Sequence, residues 1–261
     1  MPVSAPETVS LPFADRSAAG RLLGARLLRM SADPASGLSL ARAVVLALPR
    51  GGVPAGREVS MALGVPLDVL VTRKIGYPPQ PELGVGAVAE GGQPVFDDEI
   101  LARLGLTRAA LAPVVSRELA ELGRRIAAYR GGRPAVTVRG RDVIITDDGL
   151  ATGVTARAAL RAVRAAGARR TVLAVPVAAP SSATAMLAEA DLVVVLAAPA
   201  AFRAVGEWYQ SFDQLSDADV IRLLAAGAGP GRTAPGPGGA APGPGTAVLR
   251  GVGAAHPAAP L

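Results

Sequence analysis

Short, unbroken apolar runs, each followed by a turn of small residues, constrain the fold of this chain more than any other feature. Ala43–Leu48 (AVVLAL), Leu67–Thr72 (LDVLVT), Asp142–Thr146 (DVIIT), Thr171–Val177 (TVLAVPV) and Leu192–Leu196 (LVVVL) lack the alternation of a half-wet strand. Each predicts a strand buried on both faces. Leu83–Ala89 is read as a further strand. Val53–Leu63, Val154–Ala166 and Ser181–Ala188 predict helices, the second stopped by Gly167. Asp15 caps a predicted helix running to about Met30, with Leu22, Leu23, Leu27 and Leu28 on its buried side. Thr107 caps another, through Tyr129, with Leu111, Val115, Leu119, Leu122 and Ile126 at helical spacing. Arg73–Glu82, rich in Pro and Gly, predicts a loop. Repeated strand–turn–helix order implies an α/β fold, a single open parallel sheet flanked by helices.

The folded domain is expected over residues 13–227, after a loose N-terminal arm. Sixteen of residues 228–261 are Gly or Pro, without apolar periodicity, which predicts a disordered Gly/Pro/Ala-rich tail. The chain has no cysteine and one histidine, His256, inside that tail. Disulfides, thiolate metal sites and thiol nucleophiles are thereby excluded, and a Ser-His-Asp triad or histidine metal site is disfavoured. The net charge of +6 points towards anionic partners. Lys74 is the only lysine among 27 basic residues, so arginine enrichment accounts for much of that charge. No basic-then-apolar leader opens the sequence and no apolar run reaches the ~20 residues of a membrane span. A cytoplasmic protein without membrane contact is expected.

Val143–Thr155, VIITDDGLATGVT, carries the chemistry. An apolar strand ends in two acids, Asp147 and Asp148. A small-residue turn then leads into a helix. Ligands of open parallel sheets bind beyond the carboxyl ends of the strands, and a Gly-rich turn into a helix offers free N–H groups to phosphate. Thr152 and Thr155 add hydroxyls. The paired acids cannot bind phosphate; they suit sugar hydroxyls or a magnesium-bound group. A phosphate cradle beside a diol-binding pair matches a ribose 5-phosphate. Neither G-x-x-x-x-G-K-[ST] nor G-x-G-x-x-G after the first strand is present, which disfavours a nucleoside triphosphatase or a Rossmann dehydrogenase. The purely structural alternative has the acids capping the turn and Gly51–Gly52 serving as an ordinary strand–helix connection.

VIITDDGLATGVT closely resembles the signature with which type I phosphoribosyltransferases bind 5-phosphoribosyl 1-pyrophosphate (PRPP). LPRGGVPAG (Leu48–Gly56), RKIGYPPQPELGVGAVAEGG (Arg73–Gly92) and FRAVGEWYQSF (Phe202–Phe212) extend the resemblance to a stand-alone bacterial subgroup of predicted phosphoribosyltransferases. The resemblance implies that Ala151, Thr152, Gly153, Val154 and Thr155 hold the 5-phosphate, and that Asp147 and Asp148 bind the ribose hydroxyls. It implies that Arg50, Gly51 and Gly52 form a pyrophosphate loop with a non-proline cis peptide near Arg50–Gly51. Arg73 and Lys74 would meet the pyrophosphate, completing with Asp147 and Asp148 the implied catalytic set. Gly76–Glu82 would be a mobile lid. Magnesium would be carried mainly by PRPP oxygens, with no dedicated protein ligand. A small hood would cover the acceptor, with Phe202, Trp208 or Tyr209 stacking on a planar ring; a core or dimer contact is the competing role for these aromatics. Ala151 stands where hypoxanthine-guanine enzymes carry a base-contacting Asp, which leaves the acceptor undefined.

The implied function is magnesium-dependent transfer of ribose 5-phosphate from PRPP to a nucleobase-like nitrogenous acceptor, releasing pyrophosphate. The alternative is a non-catalytic PRPP sensor that binds nucleic acid or a protein partner. No helix-turn-helix or RNA-binding signature supports nucleic-acid binding. The family often forms dimers, so a homodimer is a further expectation.

Overall fold

The computed structural model describes residues 9–226. The predicted tail, 228–261, and most of the N-terminal arm lie outside the described residues. Five strands form one parallel sheet: β1 (Ala43–Ala47), β2 (Leu67–Val69), β6 (Asp142–Thr146), β7 (Arg170–Val177) and β8 (Leu192–Ala197), in the order β2-β1-β6-β7-β8. Every residue of β1 and β6 is buried, as expected of runs without alternation. Helices cover both faces. Val45 and Ala47 pack with Leu23 and Leu27 of α1 (Arg16–Ser31) and with Val53 and Val59 of α2 (Gly52–Leu63). Val44 and Leu46 pack on the opposite face. There they meet Leu160 and Val163 of α5 (Val154–Ala165) and Met186 of α6 (Pro180–Met186). No helix of the described residues is long and apolar enough to cross a membrane.

The α/β prediction holds, with three corrections. Arg73–Glu82 is not a loop. β3 (Thr72–Tyr77) and β4 (Gln80–Ala89) form an antiparallel hairpin, joined by β5 (Val95–Phe96) in a second sheet. The strand predicted at Leu83–Ala89 therefore belongs to this antiparallel sheet. Pro78 and Pro79 occupy the hairpin turn, where no ladder N–H is needed. Gly86 is small for a packing reason: a β-carbon there would lie 2.6 Å from the Val95 carbonyl oxygen. The hairpin seats Ala87 and Ala89 against Val154, Ala158 and Ala162 of α5.

The second correction concerns α1. Asp15 caps it, accepting from Ala18 N at 2.7 Å, but Leu22 and Leu28 are exposed while Gly20 and Gly24 are buried. The helix meets α2 along its glycine stripe, which turns the leucines at 22 and 28 outward. Thirdly, Thr107 accepts from Ala110 N at 3.2 Å, yet a 3-10 turn at Ala109–Leu111 intervenes and α4 runs Ala112–Arg130, leaving Leu119 exposed. Two helices had no sequence prediction: α3 (Asp98–Leu104), capped by Asp97 and stopped by Gly105, and α7 (Asp217–Ala226). Ser216 and Asp219 bond reciprocally at the start of α7, a capping box.

Candidate functional site

The sheet order changes direction at β1, with β2 on one side and β6 on the other, so the loops leaving β1 and β6 flank the switch point where such sheets open a crevice. The loops touch. Leu48 N donates to the Thr146 carbonyl at 2.9 Å. A β-carbon on Gly52 would lie 2.6 Å from Thr146 O and 2.8 Å from Asp147 Cα. One on Gly51 would lie 2.6 Å from Asp148 Cγ. The Gly–Gly pair therefore lets the first loop press against the two acids. The non-proline cis peptide bond is Pro49–Arg50, one bond before the expected Arg50–Gly51: the proline itself is the residue that precedes the bond.

Asp147 Oδ1 accepts from Asp148 N at 2.9 Å. Burial, reinforced by the neighbouring Asp148 charge, holds the Asp147 carboxyl well above the usual carboxylate range. Burial also raises Asp148, and Arg16 opposes that rise. Arg16 Nε donates to Asp148 Oδ2 at 2.8 Å, with both side chains largely buried.

The second loop continues as a socket. Leu150 is fixed through Leu150 N to Val177 O and Ala179 N to Leu150 O, each 2.9 Å. Ser182 Oγ donates to the Ala151 carbonyl. Ala151 and Thr152 are exposed. Gly153, at φ +76°, turns the chain into α5, whose first residue is Val154 and whose N-terminus has no side-chain cap. Its first-turn N–H groups have no intrahelical acceptor. Loop, left-handed glycine and uncapped helix start form an anion-binding geometry, with Thr155 half-buried in the first turn.

The predicted cations sit on two elements, Arg50 on the loop after β1 and Arg73 and Lys74 on β3. Arg50, on the β1 loop, has Nη1 3.9 Å from Asp217 Oδ1 of α7, and that same oxygen accepts from the Tyr129 hydroxyl at 2.7 Å. Arg73 Nε donates to Glu118 of α4 at 2.8 Å. Arg73 and Lys74 are on β3, not in a loop, and line a cleft of about 530 Å³ with Tyr77, Pro81, Arg117 and Glu118. The predicted lid, Gly76–Glu82, is the tip of the hairpin.

Segments from near both ends of the described chain pair beside Asp148, where the hood is expected. Phe13 N donates to Trp208 O and Gln210 N to Phe13 O, each 2.8 Å. Tyr209 is buried, packs on Phe13 and Phe212, and donates its hydroxyl to the Asp148 carbonyl at 2.5 Å. Its ring is an anchor here, not an open platform. Phe202 and Trp208 stack on each other and pack on the core. Phe212 is the exposed ring, and the Arg16 guanidinium lies 3.7 Å above its centre. Sequence reading missed Arg16 and Phe212 as site residues. Phe212 stood in the aromatic cluster; Arg16, one arginine among 26, carried no signal.

A model of the phosphoribosyl transferase domain matches residues 35–196, which include both loops. The chain is 45% identical over 212 residues to the Mycobacterium tuberculosis protein named "Putative phosphoribosyl transferase Rv0571c", covering 81% of this chain. It spans 46% of that relative's length. The crystal structure of TT1426 from Thermus thermophilus is similar at 41% identity and a TM-score of 0.69, over 84% of this chain and all of that one. The chain belongs to the phosphoribosyl transferase domain family.

Proposed function

We propose that the protein transfers ribose 5-phosphate from PRPP to a nitrogenous, nucleobase-like acceptor and releases pyrophosphate, with magnesium. The observation that carries this reading is the contact of the Gly51–Gly52 loop with Asp147 and Asp148, beside the uncapped start of α5. On this reading the uncapped start of α5 takes the phosphate, the two acids take the sugar hydroxyls and the Gly51–Gly52 loop takes the leaving group. In the reaction the C1–O bond to pyrophosphate breaks, a C1–N bond to the acceptor forms, and the acceptor loses a proton.

Each residue then has a task. Backbone N–H groups from Ala151 to Thr155 bind the 5-phosphate. Asp147 and Asp148 accept from the ribose hydroxyls and stabilise positive charge developing on the ring. Arg50 and the Gly51–Gly52 backbone receive the pyrophosphate, with Arg73 and Lys74 supplying charge from the hairpin. Among the described residues no group of three or more acids or histidines gathers to hold a metal ion, which fits an ion carried mainly by the pyrophosphate and ribose oxygens of PRPP. When bound, magnesium neutralises charge on the departing pyrophosphate. The same reading expects a cytoplasmic protein and a homodimer, the latter measurable by light scattering.

Calorimetry of PRPP with magnesium tests the reading, comparing wild type with Asp147→Asn/Asp148→Asn. Micromolar binding that the double variant loses, followed by acceptor-dependent pyrophosphate release, supports it. PRPP binding without pyrophosphate release for any nitrogenous acceptor would point to a sensor. No binding by folded wild type overturns both.

A further inference from the structure

Asp148 is approached from three directions, and one of the approaching groups, Arg16, has no assigned role. Arg16, the first residue of α1, reaches it with Nε. The Arg16 guanidinium is fixed in turn: Nη1 donates to the Asp213 carbonyl at 2.9 Å, and the Phe212 ring lies against its face. The Tyr209 hydroxyl holds the Asp148 backbone. Gly51 closes the remaining side. A guanidinium clamped by a ring, a carbonyl and a carboxylate loses little freedom on forming each bond. Asp148 thus has a defined orientation before any sugar arrives.

We propose that Arg16 is a positioning residue for ribose binding, fixing the Asp148 carboxylate for the sugar hydroxyls and linking it to the hood formed by Phe212 and Asp213. The proposal rests on the phosphoribosyltransferase reading above. Two adjacent half-buried acids repel each other, and a hydroxyl donates best to an ionised acid. Arg16 supplies the compensating charge from the protein itself and engages Oδ2 through a single nitrogen. The charged and titratable groups facing Asp148 are Asp147 from its own loop, Arg16 from α1 and Tyr209 from the hood. Arg16 is the one cation among them. Because the same guanidinium lies on Phe212, an acceptor that shifts this ring shifts the ribose-binding acid with it.

The test uses the full chain. PRPP affinity with magnesium is measured from pH 6 to 9 for wild type, Arg16→Gln, Arg16→Lys and Phe212→Leu. Asp148 is titrated in each unliganded protein by carboxyl ¹³C NMR. Arg16→Gln is expected to weaken PRPP binding about tenfold or more, with the deficit larger at the acid end of the range than at the alkaline end. Its Asp148 titration moves upward, Arg16→Lys recovers part of both effects, and Phe212→Leu shows a smaller change in the same direction. Equal PRPP affinity in wild type and Arg16→Gln overturns the proposal, as does a deficit that is constant with pH beside an unmoved Asp148 titration. If Arg16→Gln does not fold, Phe212→Leu decides: unchanged affinity and unchanged titration overturn the proposal. Failure of wild type to bind PRPP overturns the transferase reading and this proposal together; wild-type binding that Arg16→Gln leaves unweakened overturns the proposal alone.

Discussion

Gly51 lies against Asp148 so closely that a β-carbon would sit 2.6 Å from the Asp148 carboxyl carbon. The loop after β1 and the acid after β6 thus share one packed surface. Gly51→Ala forces either the loop or the carboxylate to move, and Asp148 is held by Arg16 and Tyr209. The loop is therefore expected to yield. Calorimetry should show PRPP affinity falling about tenfold or more, with a stability loss of about 1–3 kcal/mol in urea.

Asp147 carries a cost in the unliganded protein. Burial and the Asp148 charge raise its carboxyl above the unfolded value, so between those two values the folded state binds the extra proton. Stability then falls as pH rises through that window, and the full penalty stands above it. Asp147→Asn should raise stability at neutral pH by about 0.5–2 kcal/mol while abolishing PRPP binding. Thermal unfolding at pH 5 and pH 8 checks the sign: the gain should be larger at pH 8.

Leu22 and Leu23 are adjacent leucines with opposite fates. Leu23 is fully buried and Leu22 is 44% exposed. Leu23→Ala should cost about 2–5 kcal/mol, and Leu22→Ala should stay within about 0.5 kcal/mol. Urea midpoints at constant m-value separate the two.

That pair also marks where the sequence was legible. β1, β6, β7 and β8 declare themselves because a strand buried on both faces shows an unbroken apolar centre, its buried polar residues, Asp142, Thr146 and Thr171, standing at or next to the strand ends. The turn after β6 declares itself because two acids followed by small residues have few other uses at a strand end. The face of α1 does not, because alanine, glycine and leucine all serve a helix packed at backbone distance. The β3–β4 hairpin hid behind its prolines and glycines, which occupy its turn and its close contacts. Arg16 hid because its partner is 132 residues away, a relation no local pattern records.

Arg130, at the end of α4, is buried against two acids. It bonds Glu90, donates Nη2 to Val69 O at 3.0 Å, and has Nε 3.8 Å from Asp68 Oδ2. It ties the end of β2 to the residue after β4. Arg130→Met would leave Glu90 and Asp68 without a counter-charge, at a cost of about 3–5 kcal/mol. Glu90→Gln added to that variant should recover part of the loss. Urea denaturation of the single and double variants checks this; equal stabilities would show that Glu90 is not the residue left stranded.

Gly20 connects core packing to the site. A β-carbon there would lie 2.6 Å from Ala55 Cα and 2.8 Å from Ala55 O, so α1 and α2 meet backbone to backbone. Both obstructing atoms are main chain, and no substitution at position 55 removes them. Gly20→Val must push α1 off α2, and Arg16 begins the displaced helix. The variant should lose about 1–3 kcal/mol of stability. If Arg16 orients Asp148, PRPP affinity should fall by more than the small unfolded fraction explains, measured well below the unfolding temperature. Gly64→Ala is the control: it carries an unfavourable φ of +64° with no atom within 4 Å of its β-carbon, at the far end of α2. It should lose comparable stability and keep its PRPP affinity.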